Sequence, residues 1–295
     1  MRDSEYIAPL SPSLEAVASV LEMIKFSHSL FALPFALAAM VVAAGGWPSW
    51  PVLIWIVVAC VAARSMAMAY NRLVDRHIDK RNPRTKDRHL PAGKVSVSFA
   101  VGFTALSAII FVIAAFALNP LCLVLSPVAI AILMGYSHTK RFTQGSHLFL
   151  GLALSVAPAG AWIAVRGSMA GLPIFLCGAV LFWTAGFDII YACLDVEFDR
   201  REHLFSVPAH FGIARALQIS AILHLLSMAG FVIFVYRNDL NWIAWAGLLI
   251  IAVLLFFEHR IVRPDDLSKV GPAFFTFNAL VSAVFFFGCL LALPG

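Results

Sequence analysis

Apolar residues run through this chain in long blocks, not in the strict alternation of strands or the narrow stripe of a water-facing helix. Blocks of roughly 20 residues are what a helix needs to cross the hydrocarbon core of a bilayer. Nine are predicted here, at about 25–45, 51–74, 96–118, 120–135, 147–165, 172–194, 214–236, 242–257 and 270–293. Pro158 and Gly160 fall inside the fifth, which membrane helices tolerate. Gly45-Gly-Trp-Pro-Ser-Trp50 and Asn119-Pro120 read as uncharged turns, and 75–95 as the longest polar loop. Residues 1–24 are mixed, with Leu14, Val17, Ala18 and Leu21 at helical spacing, which suits a short interfacial helix or a frayed tail. The expected class is all-α: a polytopic membrane bundle of about nine transmembrane helices, with 1–24 as an N-terminal tail and 25–295 as one transmembrane domain.

Composition strengthens that reading. The chain is 61% hydrophobic and 13% charged, with a mean hydropathy of +0.90, far from the range of water-soluble domains. Nine spans leave no room for a separate soluble domain. The pI near 9.1 does not call for nucleic acid, because the cations are localised. Sixteen Lys and Arg lie within 72–94, 140–141, 200–215 and 260–269, against Arg166 and Arg237 in the opposite loops. The positive-inside bias then puts the N-terminus and these loops in the cytoplasm and the C-terminus outside. No cleavable leader is expected, since no basic start is followed at once by an apolar core. Cys60, Cys122, Cys177, Cys193 and Cys289 are scattered through apolar segments without paired or metal-type spacing and read as filler.

The candidate chemistry sits where two spans end. Asn71, Asp75 and Asp79 are spaced four apart, so on a helix they share one face, and Arg64 lies seven residues earlier on that face. Carboxylates one turn apart repel unless a cation stands between them, and Asp with Asn are the hard oxygen donors that Mg2+ prefers. Asp188, Asp195 and Asp199 give a second stripe, expected on one helix, with Asp188 about two turns inside the apolar block. An arginine or aspartate at that depth is costly without a functional partner, although a structural ion pair is the plainer account of Arg64. His28 near the start of the first span faces either headgroups or a cavity. The loop after the first stripe carries Arg76, Lys80, Arg81, Arg84, Lys86, Arg88 and Lys94, which reads as a phosphate-facing cap. Two acidic helix ends facing one cavity would hold Mg2+ against a diphosphate, and in a membrane the natural diphosphate ester has a long apolar tail. Loss of pyrophosphate from an allylic carbon leaves a delocalised cation that an electron-rich ring captures.

Asn71-x3-Asp75-x3-Asp79, Arg84-Thr85-x2-Arg88-x2-Pro91-x-Gly93, Tyr136-Ser-x2-Lys140-Arg141 and Asp188-x2-Tyr191-x3-Asp195-x3-Asp199 together resemble the UbiA superfamily of intramembrane aromatic prenyltransferases, in order and over nearly the whole chain. The resemblance implies a bundle around a central cavity capped on the cytoplasmic side of a bacterial inner membrane. It implies Mg2+-dependent transfer of a polyprenyl group from polyprenyl diphosphate to an aromatic acceptor: 4-hydroxybenzoate in ubiquinone synthesis, or a dihydroxynaphthoate in menaquinone synthesis. Asp75, Asp79, Asp195 and Asp199 would hold the metal, with Asn71 assisting. Arg64, Lys140 and the adjacent Arg141 would contact the diphosphate, and Arg84 and Arg88 would close over it. Asp188 would position or deprotonate the acceptor, with Tyr136 and Tyr191 ordering the site. Arg72 and His89 depart from the pattern, since many members carry Asp and Pro there. A transporter or channel, and transfer to a non-aromatic or tetrapyrrole acceptor, are the competing readings.

Overall fold

A computed structural model describes residues 29–171 and 173–293 of the chain; the expected interfacial helix and His28 lie outside the described residues. The long helices are α1 (Ser29–Ala44), α2 (Trp50–Arg81), α3 (Val97–Leu118), α4 (Pro120–Thr139), α5 (Ser146–Arg166) and α6 (Ile174–Ala192). Two short helices follow, α7 (Val196–Arg201) and α8 (Val207–Phe211), then α9 (Ile213–Arg237), α10 (Trp242–Ile261) and α11 (Asn278–Leu291). Among the described residues eight helical segments are long and apolar enough to cross a membrane, the last being Phe274–Leu291, which joins the turn before α11 to α11, and the shorter apolar α1 packs with them. The chain is an integral membrane protein.

Local chemistry sets the helix ends. Pro51 and Pro120 stand in the first turns of α2 and α4, where a missing N–H costs nothing. Ser96 accepts from Phe99 N at 3.1 Å and Asn119 from Cys122 N at 2.9 Å, capping α3 and α4. Gly167 ends α5 with φ 65°, the left-handed conformation that glycine adopts without a Cβ clash.

Three helices outrun their apolar blocks, α10 by continuing from Phe257 to Ile261. The 32 residues of α2 make a rod of about 48 Å at 1.5 Å per residue, well beyond a ~30 Å hydrocarbon core. The segment expected to begin the polar loop at residue 75 is therefore helix up to Arg81, and the loop starts at Asn82. Likewise α4 continues past Gly135 to Thr139. Side chains satisfy carbonyls left open at these ends: Thr85 Oγ1 donates to Asp79 O of α2 at 3.0 Å, and at α4 Arg141 Nη1 donates to Ser137 O at 2.8 Å and Thr139 Oγ1 to Tyr136 O at 2.7 Å.

The bundle core is aromatic. Phe35 of α1 stacks on Phe231 of α9 with an 8° interplanar angle and meets Trp183 of α6 and Phe285 of α11 at 5.0 and 5.4 Å. Such pairs contribute about 0.5–1.5 kcal/mol each beyond area burial. Of the phenylalanines near the C-terminus, Phe274 and Phe285 belong to this core, whereas Phe287 is exposed. Trp47, Trp50 and Trp242 are exposed at the end of the bundle remote from the basic loops, as an interfacial belt requires. A π-helical turn, Ala273–Phe277, interrupts the ninth block before α11.

Candidate active site

The basic loops gather at one end of the bundle, and the two acidic stripes meet there. Asn82, the residue that ends α2, donates from Nδ2 to Asp195 Oδ1 at 2.9 Å, so the end of the first stripe touches the second directly. Arg84 also donates to both oxygens of Asp195, from Nε at 2.9 Å and from Nη2, while its Nη1 reaches Tyr191 OH at 2.7 Å. Its guanidinium lies 4.8 Å from the centre of the Tyr191 ring. Burial alone would lower the Arg84 pKa; the Asp195 carboxylate and Tyr191 outweigh it, and the pKa is raised.

The first stripe is held by cations of its own. Asp75 receives Lys140 Nζ at 2.5 Å and Arg141 Nη2 at 2.8 Å on different oxygens. Asp79 Oδ1 receives Arg88 Nη1 at 2.8 Å. Arg72, the departure from the family pattern, is buried with Nη1 3.9 Å from Asp79 Oδ2. Asn71 donates at 3.3 Å both to Asp75 Oδ2 and to Ser137 Oγ, tying the stripe to α4. Helical spacing showed the carboxylates, and Arg72 meets Asp79 within α2 itself; Asn82 and Ser137 acquire partners only through packing between elements, and sequence reasoning missed them.

The second stripe is not one stripe of one helix. α6 ends at Ala192, and Cys193–Asp195 winds as a 3-10 turn before α7. Three residues at about 120° instead of 100° advance the phase by about 60°, which breaks the common register with Asp188. It meets His147 Nδ1 of α5 at 2.7 Å, while Asp199 accepts from Ser206 Oγ at 2.7 Å. Tertiary bonding of Asp195 to Asn82 and Arg84 prevails over the helical register.

The acidic ends do not line the cavity, contrary to expectation. A cavity of about 410 Å³ lies among α1–α5, with walls of small and aliphatic residues including Ala59, Ala63, Ala129, Ala157 and Gly160. Its polar members include Arg64 and Tyr136, and its last α2 residue, Ala67, is one turn short of Asn71. The carboxylates therefore sit beyond its polar end, reached through Tyr136 and the Ser137–Asn71 bond. Arg64 has no carboxylate partner among the described residues, and its Nε is buried with no hydrogen-bond acceptor. Among the described residues the plain ion-pair account of this arginine finds no carboxylate.

A hard divalent cation fits the donor set. Asp79 Oδ2 is buried without a hydrogen-bond partner, and oxygen donors from Asn71, Asp75, Asp195 and Asp199 surround the same end of the bundle. With the basic side chains resting on the carboxylates, no three His, Cys, Asp or Glu side chains converge on one ion position among the described residues.

A model of the UbiA prenyltransferase family matches residues 32–288. The chain is 32% identical over 254 residues to a 4-hydroxybenzoate octaprenyltransferase of Vibrio campbellii, covering 86% of this chain and 89% of that protein. Its fold is similar to the apo structure of a UbiA homolog from Aeropyrum pernix K1, with a TM-score of 0.83 and 32% identity over 90% of this chain and 97% of the other. A UbiA homolog from Archaeoglobus fulgidus bound to DMAPP and Mg2+ shares the fold at a TM-score of 0.67 and 22% identity, over 90% and 99% of the two chains.

Proposed function

The chain belongs to the UbiA prenyltransferase family, and on that premise we propose that it transfers a polyprenyl group from polyprenyl diphosphate to 4-hydroxybenzoate in quinone synthesis. The observation that carries the proposal is the apolar cavity of about 410 Å³, within the ~300–1,000 Å³ of ligand pockets, with Arg64, whose buried Nε has no acceptor among the described residues, at the polar end and acid–base clusters just beyond it. A greasy tail with an anionic head matches that polarity. The name of the Vibrio relative supports the acceptor.

The tail lies between α1 and α5, and the diphosphate stands at the basic end. Arg64 and Tyr136 meet it from the cavity side, and Lys140, Arg141, Arg84 and Arg88 offer charge-assisted donors from the loop side. Asp75, Asp79, Asp195, Asp199 and Asn71 hold Mg2+, as hard oxygen donors suit it. When bound, the metal neutralises diphosphate oxygens and eases departure of pyrophosphate. The carbon–oxygen bond of the allylic ester breaks, an acceptor ring carbon forms the new bond, and the displaced ring proton leaves. Asp188, half-buried on α6, orients the acceptor and takes up a proton at Oδ1, which has no partner among the described residues. The dry walls exclude water, which would otherwise quench the allylic cation to an alcohol. By the positive-inside bias this end faces the cytoplasm of a bacterial inner membrane, with the C-terminus outside.

The test is mass spectrometry of the product from purified protein given a polyprenyl diphosphate, Mg2+ and equal amounts of 4-hydroxybenzoate and a dihydroxynaphthoate. Prenylated hydroxybenzoate is the expected product. Exclusive prenylation of the naphthoate would move the acceptor to menaquinone synthesis, and no prenylated product from folded protein would overturn the proposal.

A further inference from the structure

We infer that His147 is a positioning residue for this transfer: it stands behind Asp188 and fixes the carboxylate that handles the acceptor. The inference rests on the reading of Asp188 given above. His147 is the second residue of α5 and only 4% exposed, so it does not meet substrate itself. The Asp188 side chain is 27% exposed, with its open oxygen available to a ligand.

Hydrogen bonding fixes the ring's tautomer. The backbone N–H of Val207 points at His147 Nε2 at 3.2 Å, and an amide N–H can only donate. Nε2 therefore carries the lone pair, and the neutral ring's proton resides on Nδ1, 2.7 Å from Asp188 Oδ2. That donor occupies one carboxylate oxygen and sets the plane of the group. Among the described residues nothing bonds to Oδ1, which is left for the acceptor.

The helices are built to bring this pair together. Gly151 lies one turn after His147, and a Cβ there would stand 2.2 Å from Leu181 O, two turns before Asp188 on α6. Only glycine permits the close approach of α5 and α6 that lets the imidazole reach across. The same ring is coupled to the donor end through three consecutive residues. Phe205 N donates to Lys140 O at 2.7 Å, Ser206 Oγ to Asp199 Oδ2 at 2.7 Å, and Val207 N to His147. The segment that steadies Lys140 and Asp199 thus also steadies Asp188, through His147.

Steady-state kinetics of His147→Leu, His147→Asn, His147→Gln and Asp188→Asn, with KM for donor and acceptor measured separately, test the assignment. Asn places its N–H near Nδ1 and restores the donor to Asp188; Gln places its carbonyl near Nε2 and restores only the acceptor for Val207 N–H. His147→Leu is expected to lower kcat/KM for the acceptor about 10- to 100-fold, as loss of an orienting partner does, with donor KM changed less than about twofold. His147→Asn should recover most of that loss and His147→Gln little of it. Binding of an unreactive thiodiphosphate donor, unchanged across the series, reports that each variant is folded. Recovery by Gln and not by Asn would make His147 a fastener of the 205–207 segment and overturn the inference. A loss in Asp188→Asn with none in His147→Leu would overturn it alone. Unchanged acceptor kinetics in Asp188→Asn would overturn the reading of Asp188 and this inference with it.

Discussion

At Arg64 a guanidinium is placed among alanines and leucines with no carboxylate among the described residues to neutralise it, an arrangement that costs several kcal/mol in apolar surroundings unless an anion comes to it. If that anion is the donor's diphosphate, Arg64→Ala loses a charge-assisted bond of about 1.5–3 kcal/mol. Donor KM should then rise about 10- to 100-fold while acceptor KM holds; unchanged donor KM would remove the role. Asp75→Ala and Asp195→Ala should each cut turnover more than about 100-fold with normal membrane expression, and full activity in either would remove it from the metal site. The carboxylates and Arg64 were legible because charge inside an apolar block is conspicuous and helical spacing aligns it. Asn82, Ser137, Ser206 and His147 were not, because each is an ordinary polar residue until another element packs onto it.

The elements impose the finer geometry. Apolar blocks located the helices to within a few residues but placed the ends of α2 and α4 too early, since a helix satisfies its own backbone outside the bilayer as well as inside. The 3-10 turn at Cys193–Asp195 was hidden for the opposite reason: Asp195 at its end is bonded by Asn82 and Arg84, more than a hundred residues away. The contact between α5 and α6 is the most sensitive joint. Gly151→Ala must displace backbone at Leu181, an overpacking cost of about 1–3 kcal/mol, and should lower the thermal midpoint by about 5 °C. Gly160→Ala, where an added Cβ meets nothing within 4 Å, should leave it unchanged. Equal midpoints in a thermal-shift assay would contradict the close-packing account.

Taken as a whole, the molecule separates an apolar chamber among α1–α5 from a charged end where its two acidic stripes converge. Convergence was legible from matching motifs at the ends of the second and sixth blocks. The chamber was not, because its small residues come from five helices and become a wall only on assembly. Chelation should abolish turnover and Mg2+ restore it; full activity after exhaustive chelation would exclude the metal. Filling the chamber with Ala157→Phe should slow long polyprenyl donors at least about tenfold while sparing dimethylallyl diphosphate, as expected if pocket volume limits the tail. Equal effects on both donors would deny the tail that place. The most direct measurement is photocrosslinking with a polyprenyl thiodiphosphate bearing a diazirine along its tail, followed by peptide mapping. Labels on Leu125, Ala129 or Ala157 of the chamber wall are expected; labels confined to the outer faces of α9–α11 would contradict the account.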